Sequence, residues 1–176
     1  MDNSNYLASS KQQFIYYKSL AEKAMAQLAP EQLFIQPNEE SNSIAMIVQH
    51  MAGNMLSRWT DFLTTDGEKE WRNRDAEFEA VLKSKEELMQ KWEEGWSCFM
   101  NVIDQLQPAQ LGQTILIRNE PHTVMEAINR QLAHYPYHVG QIVFYAKQLK
   151  GNSFTSLSIP KNKSGEFNKE KFSQLK

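Results

Sequence analysis

Four stretches of the chain repeat apolar residues at three- and four-residue steps, the period of an amphipathic helix, and the prolines and turn residues fall mostly between them. The first runs from about Tyr6 to Leu28 through Leu7, Phe14, Tyr17, Leu20, Ala21, Ala24 and Met25, and Pro30 and Pro37 bracket the connection after it. The second opens at Ser41-Asn42-Ser43, a cluster of good N-cap residues, and carries Ile44, Ile47, Val48, Met51, Met55 and Trp59 before fading by Thr64-Thr65-Asp66-Gly67. From Glu68 to Lys83 the chain is charged and aromatic with a poor period, which predicts a long connection holding at most one helical turn. Ser84-Lys85-Glu86-Glu87 fits a capping box for a third helix, whose stripe of Leu88, Trp92, Trp96 or Phe99, Val102, Ile103 and Leu106 ends before Pro108.

The fourth stripe is the clearest. A second capping box at Thr123 to Glu126 starts it, and Val124, Ile128, Leu132, Tyr135, Val139, Ile142, Ala146 and Leu149 continue it to Lys150-Gly151, a helix of about seven turns. Beyond Gly151 the chain becomes rich in Asn, Ser and Lys, a tail that either packs across the helices or is loose. The expected fold is all-α, a four-helix bundle over about residues 5–151 with a C-terminal tail at 152–176, in one domain.

Composition narrows the function classes. With 41% apolar and 23% charged residues and a net charge of −2, the chain reads as a globular domain. No helix-long basic face with interleaved aromatics signals nucleic acid. No apolar run approaches a membrane span, and the first residues lack a signal-peptide pattern. One cysteine, Cys98, leaves no internal disulfide, so the expectation is a cytoplasmic protein.

Four histidines carry the candidate chemistry. His134 and His138 stand four apart in His134-Tyr135-Pro136-Tyr137-His138-Val139-Gly140-Gln141, so both imidazoles lie on one helix face, one turn apart, where they can share a metal ion. Beside them on the helical wheel lie Gln131, Gln141 and Tyr145. Pro136 and Gly140 are helix breakers next to this pair, predicting a kink that either shapes the bundle or marks a site. His50, in the apolar run Ile47-Val48-Gln49-His50-Met51, is either a satisfied core histidine or the third ligand brought by the second helix. His122, before the Thr123 cap, reads as a surface or staple residue.

These residues resemble the DinB/YfiT-like superfamily: a metal-site histidine in the second helix, then His-x-x-x-His followed by Gly-Gln in the last bundle helix. The strings Asn54-Met55-Leu56-Ser57-Arg58-Trp59-Thr60-Asp61-Phe62-Leu63 and Leu157-Ser158-Ile159-Pro160 resemble one branch of it. The resemblance implies a bundle of crossover topology, often a homodimer, holding a divalent metal on His50, His134 and His138. Better-understood relatives transfer low-molecular-weight thiols such as bacillithiol or mycothiol, or use a thiol cofactor to isomerise substrates, and others are called hydrolases. The common pattern has a His-His pair followed by Arg, where this chain has Tyr137 and Val139 around His138, which removes one candidate anion-binding charge.

Imidazole ligands suit zinc, nickel, copper and iron, with zinc or nickel the expected ions. Three neutral ligands leave a position open for a thiol or for water, so the expectations are thiol transfer to a small electrophile or, alternatively, metal-dependent hydrolysis. A non-catalytic metal-binding helical dimer is the remaining reading. Asn54 and Arg58, one and two turns beyond His50, and Arg130 and Gln141, flanking the histidine pair, are the candidate substrate-binding residues. Glu126 and Asp61 are possible bases or ligand-orienting carboxylates, although the capping box already occupies Glu126. Cys98 reads as a small core residue and the tryptophans as packing.

Overall fold

A computed structural model of the chain describes residues 3–79 and 82–173. Met1 and Asp2 of the amino-terminal stretch, Ala80 and Val81 of the long connection and the last three residues of the tail lie outside the described residues. Four long helices pack around one core: α1 (Asn3–Met25), α2 (Ile44–Trp59), α3 (Lys85–Gln105) and α4 (Val124–Lys150). The most extensive contacts are between α2 and α3 and between α1 and α4, and α2 also meets α4. Among the described residues no helix is long and apolar enough to cross a membrane.

The helix starts follow the capping chemistry. Ser43 Oγ accepts from the Met46 amide at 3.2 Å, and the Thr123–Glu126 capping box forms completely at the start of α4. At α3 the Ser84 side chain accepts from the Glu87 amide as expected, but the Glu87 carboxylate accepts from the backbone of Lys83. The stripe residues of α3 and α4 turn inward, and Trp59, Trp92, Trp96, Phe99 and Tyr135 are among the largest fully buried side chains. The α2 helix is buried nearly all round because α3 lies close on one side of it: a Cβ at Gly95 would come within 2.8 Å of the Ala52 Cα. The α4 helix continues unbroken through Pro136.

Two features depart from an all-α chain with a featureless tail. Thr114–Ile117 (β1) and Glu120–Thr123 (β2) form an antiparallel hairpin, with Ile117 opposite Glu120. Its two turn residues, Arg118 and Asn119, both have positive φ, 55° and 60°, the backbone that a two-residue hairpin turn requires. Ile115 and Ile117 bury the inner side of the hairpin. In the tail, Phe154 and Leu157 pack against the core, and the Gln27 side chain bonds both ways to the Thr155 backbone. A further helix, α5 (Ser164–Ser173), buries none of its residues. The described part of the tail therefore packs at its start and leaves α5 exposed.

Candidate metal centre

One helical turn brings His134 and His138 together, with their Nε2 atoms 3.0 Å apart. The packing of α2 on α4 adds His50, whose ring centroid lies 4.9 Å from that of His138 and 5.6 Å from that of His134. One imidazole nitrogen from each residue lies within 4.8 Å of the other two. His50 is buried and the other two are half-buried, so the cluster faces both core and solvent.

The partners of the outer ring nitrogens settle what the inner ones offer. His134 Nδ1 meets Gln131 Oε1 at 3.3 Å, His138 Nδ1 meets Gln141 Oε1 at 2.8 Å, and His50 Nδ1 meets Glu77 Oε2 at 2.9 Å. Amide and carboxylate oxygens only accept, so each Nδ1 carries the proton and each Nε2 keeps a bare lone pair. Two such lone pairs facing each other at 3.0 Å repel unless a cation lies between them. A proton is a poor candidate. Burial first, and then the charges of His138, His50, Arg130 and Arg58, push His134 down to about 3, and burial likewise pushes His138 down. A metal ion fits better, because two nitrogens each about 2.1 Å from one ion stand about 3.0–3.4 Å apart.

Glu77 is the site residue that the sequence reading missed. It sits in a single 3-10 turn, Asp75–Phe78, within the aperiodic connection, and its carboxylate is buried. Arg72 grips it from the other side, Nε to Oε1 at 2.8 Å and Nη2 to Oε2 at 3.0 Å. Burial pushes the carboxyl up, but the hydrogen bonds from His50 and Arg72 outweigh it and hold Glu77 below the usual carboxylate range. Phe78, on the same turn, stacks on the His50 ring at 4.9 Å. The backbone of α2 leaves room for this carboxylate at Gly53, where a Cβ would stand 2.2 Å from Glu77 Oε1. The Trp71-Arg72-Asn73-Arg74 cluster, which ends three residues before Glu77, was the available signal, but no periodicity tied it to His50.

Beside the histidines a pocket of about 460 Å³ opens, lined by His50 and His134 together with Asn54, Arg58, Arg130 and Tyr137, among others. Asn54 Oδ1 accepts from the buried Tyr135 hydroxyl at 3.4 Å, and that hydroxyl in turn accepts from the Trp59 indole at 3.1 Å, which ties the pocket floor to the aromatic core. Gln141 stands apart from this pocket with its oxygen on His138.

Other candidates fall elsewhere. The Glu126 carboxylate accepts from the Thr123 amide and hydroxyl. Asp61 has a positive φ of 48° and offers its carbonyl to Thr64 and Thr65. Neither makes a hydrogen bond to a histidine among the described residues. His122 lies in β2, with Nε2 4.0 Å from a Glu120 oxygen, outside the cluster. Cys98 is half-buried, its sulfur 3.7 Å from the Thr60 hydroxyl.

Residues 2–163 match the model of a family described as a protein of unknown function, DUF1572, and the chain belongs to that family. No curated protein and no solved structure matches the chain.

Proposed function

We propose that this member of the DUF1572 family is a metal-dependent enzyme that transfers a low-molecular-weight thiol to an electrophilic carbon, with His50, His134 and His138 holding one divalent ion, zinc or nickel. The observation that carries this reading is that each Nδ1 meets an oxygen outside the cluster, on Gln131, Gln141 or Glu77, while one nitrogen from each ring lies within 4.8 Å of the other two. A divalent ion held there by three neutral ligands supplies an open position and a Lewis acid that draws down the pKa of a thiol.

The protein groups around it favour a thiol over water as the nucleophile. Among the described residues no Asp or Glu lines the pocket, and the buried carboxylate at the cluster, Glu77, is held by both His50 and Arg72. Hydrolysis wants a general base to deprotonate the attacking water. A thiol, with an ordinary pKa near ~8.5, needs only modest help. The sulfur forms a bond to the electrophilic carbon, the leaving group departs with its electron pair, and the thiol proton passes to solvent through the open pocket. The same reading places the chain in the DinB/YfiT-like superfamily with its crossover four-helix bundle, supported by the position of His50 in α2 and of His134, His138, Gly140 and Gln141 in α4.

The test is elemental analysis of untagged protein beside a triple variant, His50→Ala with His134→Ala and His138→Ala. One divalent ion per chain, absent from the variant, is the expected result, followed by thiol consumption in the presence of electrophiles. A native chain that holds no ion even after reconstitution overturns it.

A further inference from the structure

The chain contains five arginines, and all five line the pocket beside the histidines: Arg58, Arg72, Arg74, Arg118 and Arg130. None of the thirteen described lysines does. The arginines come from separate parts of the chain: α2, the aperiodic connection, the hairpin turn and α4. In a chain with a net charge of −2 this gathers like charge at one place, which costs stability unless something offsets it.

The protein offsets only part of it. Arg72 is paired with Glu77 and lies 3.6 Å from Glu68, and Arg118 is paired with Glu68 at 3.2 Å. Arg58, Arg74 and Arg130 make no ion pair among the described residues. Arg74 lies over the Phe78 ring at 5.4 Å. Arg58 is the informative one. It is 3% exposed, and its Nε and Nη1 are buried without a hydrogen-bond partner among the described residues. A guanidinium does not give up its charge at any ordinary pH, so a buried and unpartnered one is costly unless a ligand supplies the acceptors. Arginine rather than lysine is also the side chain whose planar fork matches carboxylate and phosphate oxygens in pairs.

We propose that this pocket is an oxyanion subsite, in which Arg58, Arg74 and Arg130 take the doubly charged end of a co-substrate, a phosphate monoester or a pair of carboxylates, and hold it beside His50 and His134. The assignment of that group to a co-substrate rests on the metal-dependent reading above, whereas the subsite itself needs no ion. About 460 Å³ admits such a group together with a short organic arm. The arrangement also explains how a chain without an arginine after His138 receives an anion: the charge comes from α2, α4 and the connection instead.

The experiment is calorimetric titration of the full chain, both as purified and after chelation, with inorganic phosphate, with succinate and with acetate as the singly charged control. The expected result is that at least one dianion binds chelated protein about tenfold more tightly than acetate, and that Arg74→Gln with Arg130→Gln, both exposed positions, weakens it about tenfold while metal content is unchanged. Arg58→Gln is the stronger variant, and circular dichroism checks that it folds. Binding of phosphate alone assigns a phosphate ester, and binding of succinate alone assigns a dicarboxylate. Dianions that bind no better than acetate, or that ignore the double variant, overturn the subsite. Anion binding that persists in a chain with no metal affinity overturns the metal reading and leaves the subsite standing.

Discussion

The two halves of the histidine cluster are held in different ways. In α4 each histidine is oriented by a glutamine three residues away on the same helix, Gln131 for His134 and Gln141 for His138. That support arrives with the helix itself, because residues three apart share a face. In α2, His50 is oriented by Glu77, 27 residues downstream on a single turn of an otherwise irregular connection, and Glu77 is itself clamped by Arg72. That support exists only once the connection has folded onto α2. A neutral amide and a carboxylate both fix the tautomer of the ring they meet, but a hydrogen bond to a charged oxygen is the stronger of the two, so His50 is the more firmly oriented ligand and the more conditional one.

Removing the two kinds of support should have unequal consequences. Glu77→Ala leaves the Arg72 side chain, only 3% exposed, without its main partner, and a loss of about 3 kcal/mol or more is expected in denaturant unfolding. Metal affinity should fall about 10- to 100-fold as well. Gln141→Ala, by comparison, should cost no more than about 1 kcal/mol, since one half-buried hydrogen bond is lost. Equal losses in the two variants would mean that Glu77 is no more than another hydrogen-bond acceptor.

Two glycines sharpen the contrast at smaller cost. Gly53→Ala in α2 puts a methyl group 2.2 Å from Glu77 Oε1, the oxygen that Arg72 Nε holds, so the whole carboxylate must shift from Arg72 and His50, and about 1–3 kcal/mol of stability should go with it. Gly140→Ala in α4 meets nothing within 4 Å, and by helix propensity should gain up to about 1 kcal/mol. Thermal melts and metal titrations of both variants read the difference. A neutral Gly53→Ala would show that the connection yields without disturbing the site.

The same division separates what was readable in the sequence from what was not. The stripe of α4, its capping box, the spacing of His134 and His138 and the two flanking glutamines all follow from a 3.6-residue period, and the structure places them where the period does. His50 could be placed on α2, but whether it was core or ligand depended on α2 meeting α4, which is a tertiary fact. Glu77 sits where periodicity gives no direction, so only the fold could connect it to His50. The hairpin was missed for another reason. Pro121 reads naturally as a marker upstream of a helix, which masks the strand signal of Thr114, Ile115 and Ile117, β-branched at three of four positions, and the turn pair Arg118-Asn119. The arginines were scattered in sequence, and Arg58 and Arg130 were considered singly; their convergence with three others required the hairpin and the connection to be in place.

The smallest effect expected lies in two carboxylates that do one task at different ranges. Asp66, in the connection, accepts from the Glu68 amide at 2.7 Å and, across more than fifty residues, from the turn amides of Arg118 at 2.8 Å and Asn119 at 2.6 Å. Glu126 accepts from the Thr123 amide three residues away at 2.7 Å. Burial is the largest single influence on Asp66 and pushes it up, but its three backbone hydrogen bonds together outweigh this and hold it below the ordinary value of 3.8; the Thr123 backbone and hydroxyl hold Glu126 below 4.5. A carboxyl depressed in the folded state binds fewer protons there than in the unfolded chain, so stability rises with pH across the window. Each contribution is therefore present above the ordinary pKa and is lost as the pH falls through the lower, folded one. Melting temperatures measured from pH 6 downward should decline below about pH 4, and Asp66→Asn and Glu126→Gln should each flatten part of that decline. Amide exchange then separates the two. Asp66→Asn should speed exchange at Arg118 and Asn119 and release the hairpin turn that carries Arg118 to the pocket, whereas Glu126→Gln should fray only the first turn of α4. Slow exchange at the turn amides of Asp66→Asn would show that the hairpin holds its place by the buried Ile115 and Ile117 alone, and that the long-range carboxylate is incidental to the site.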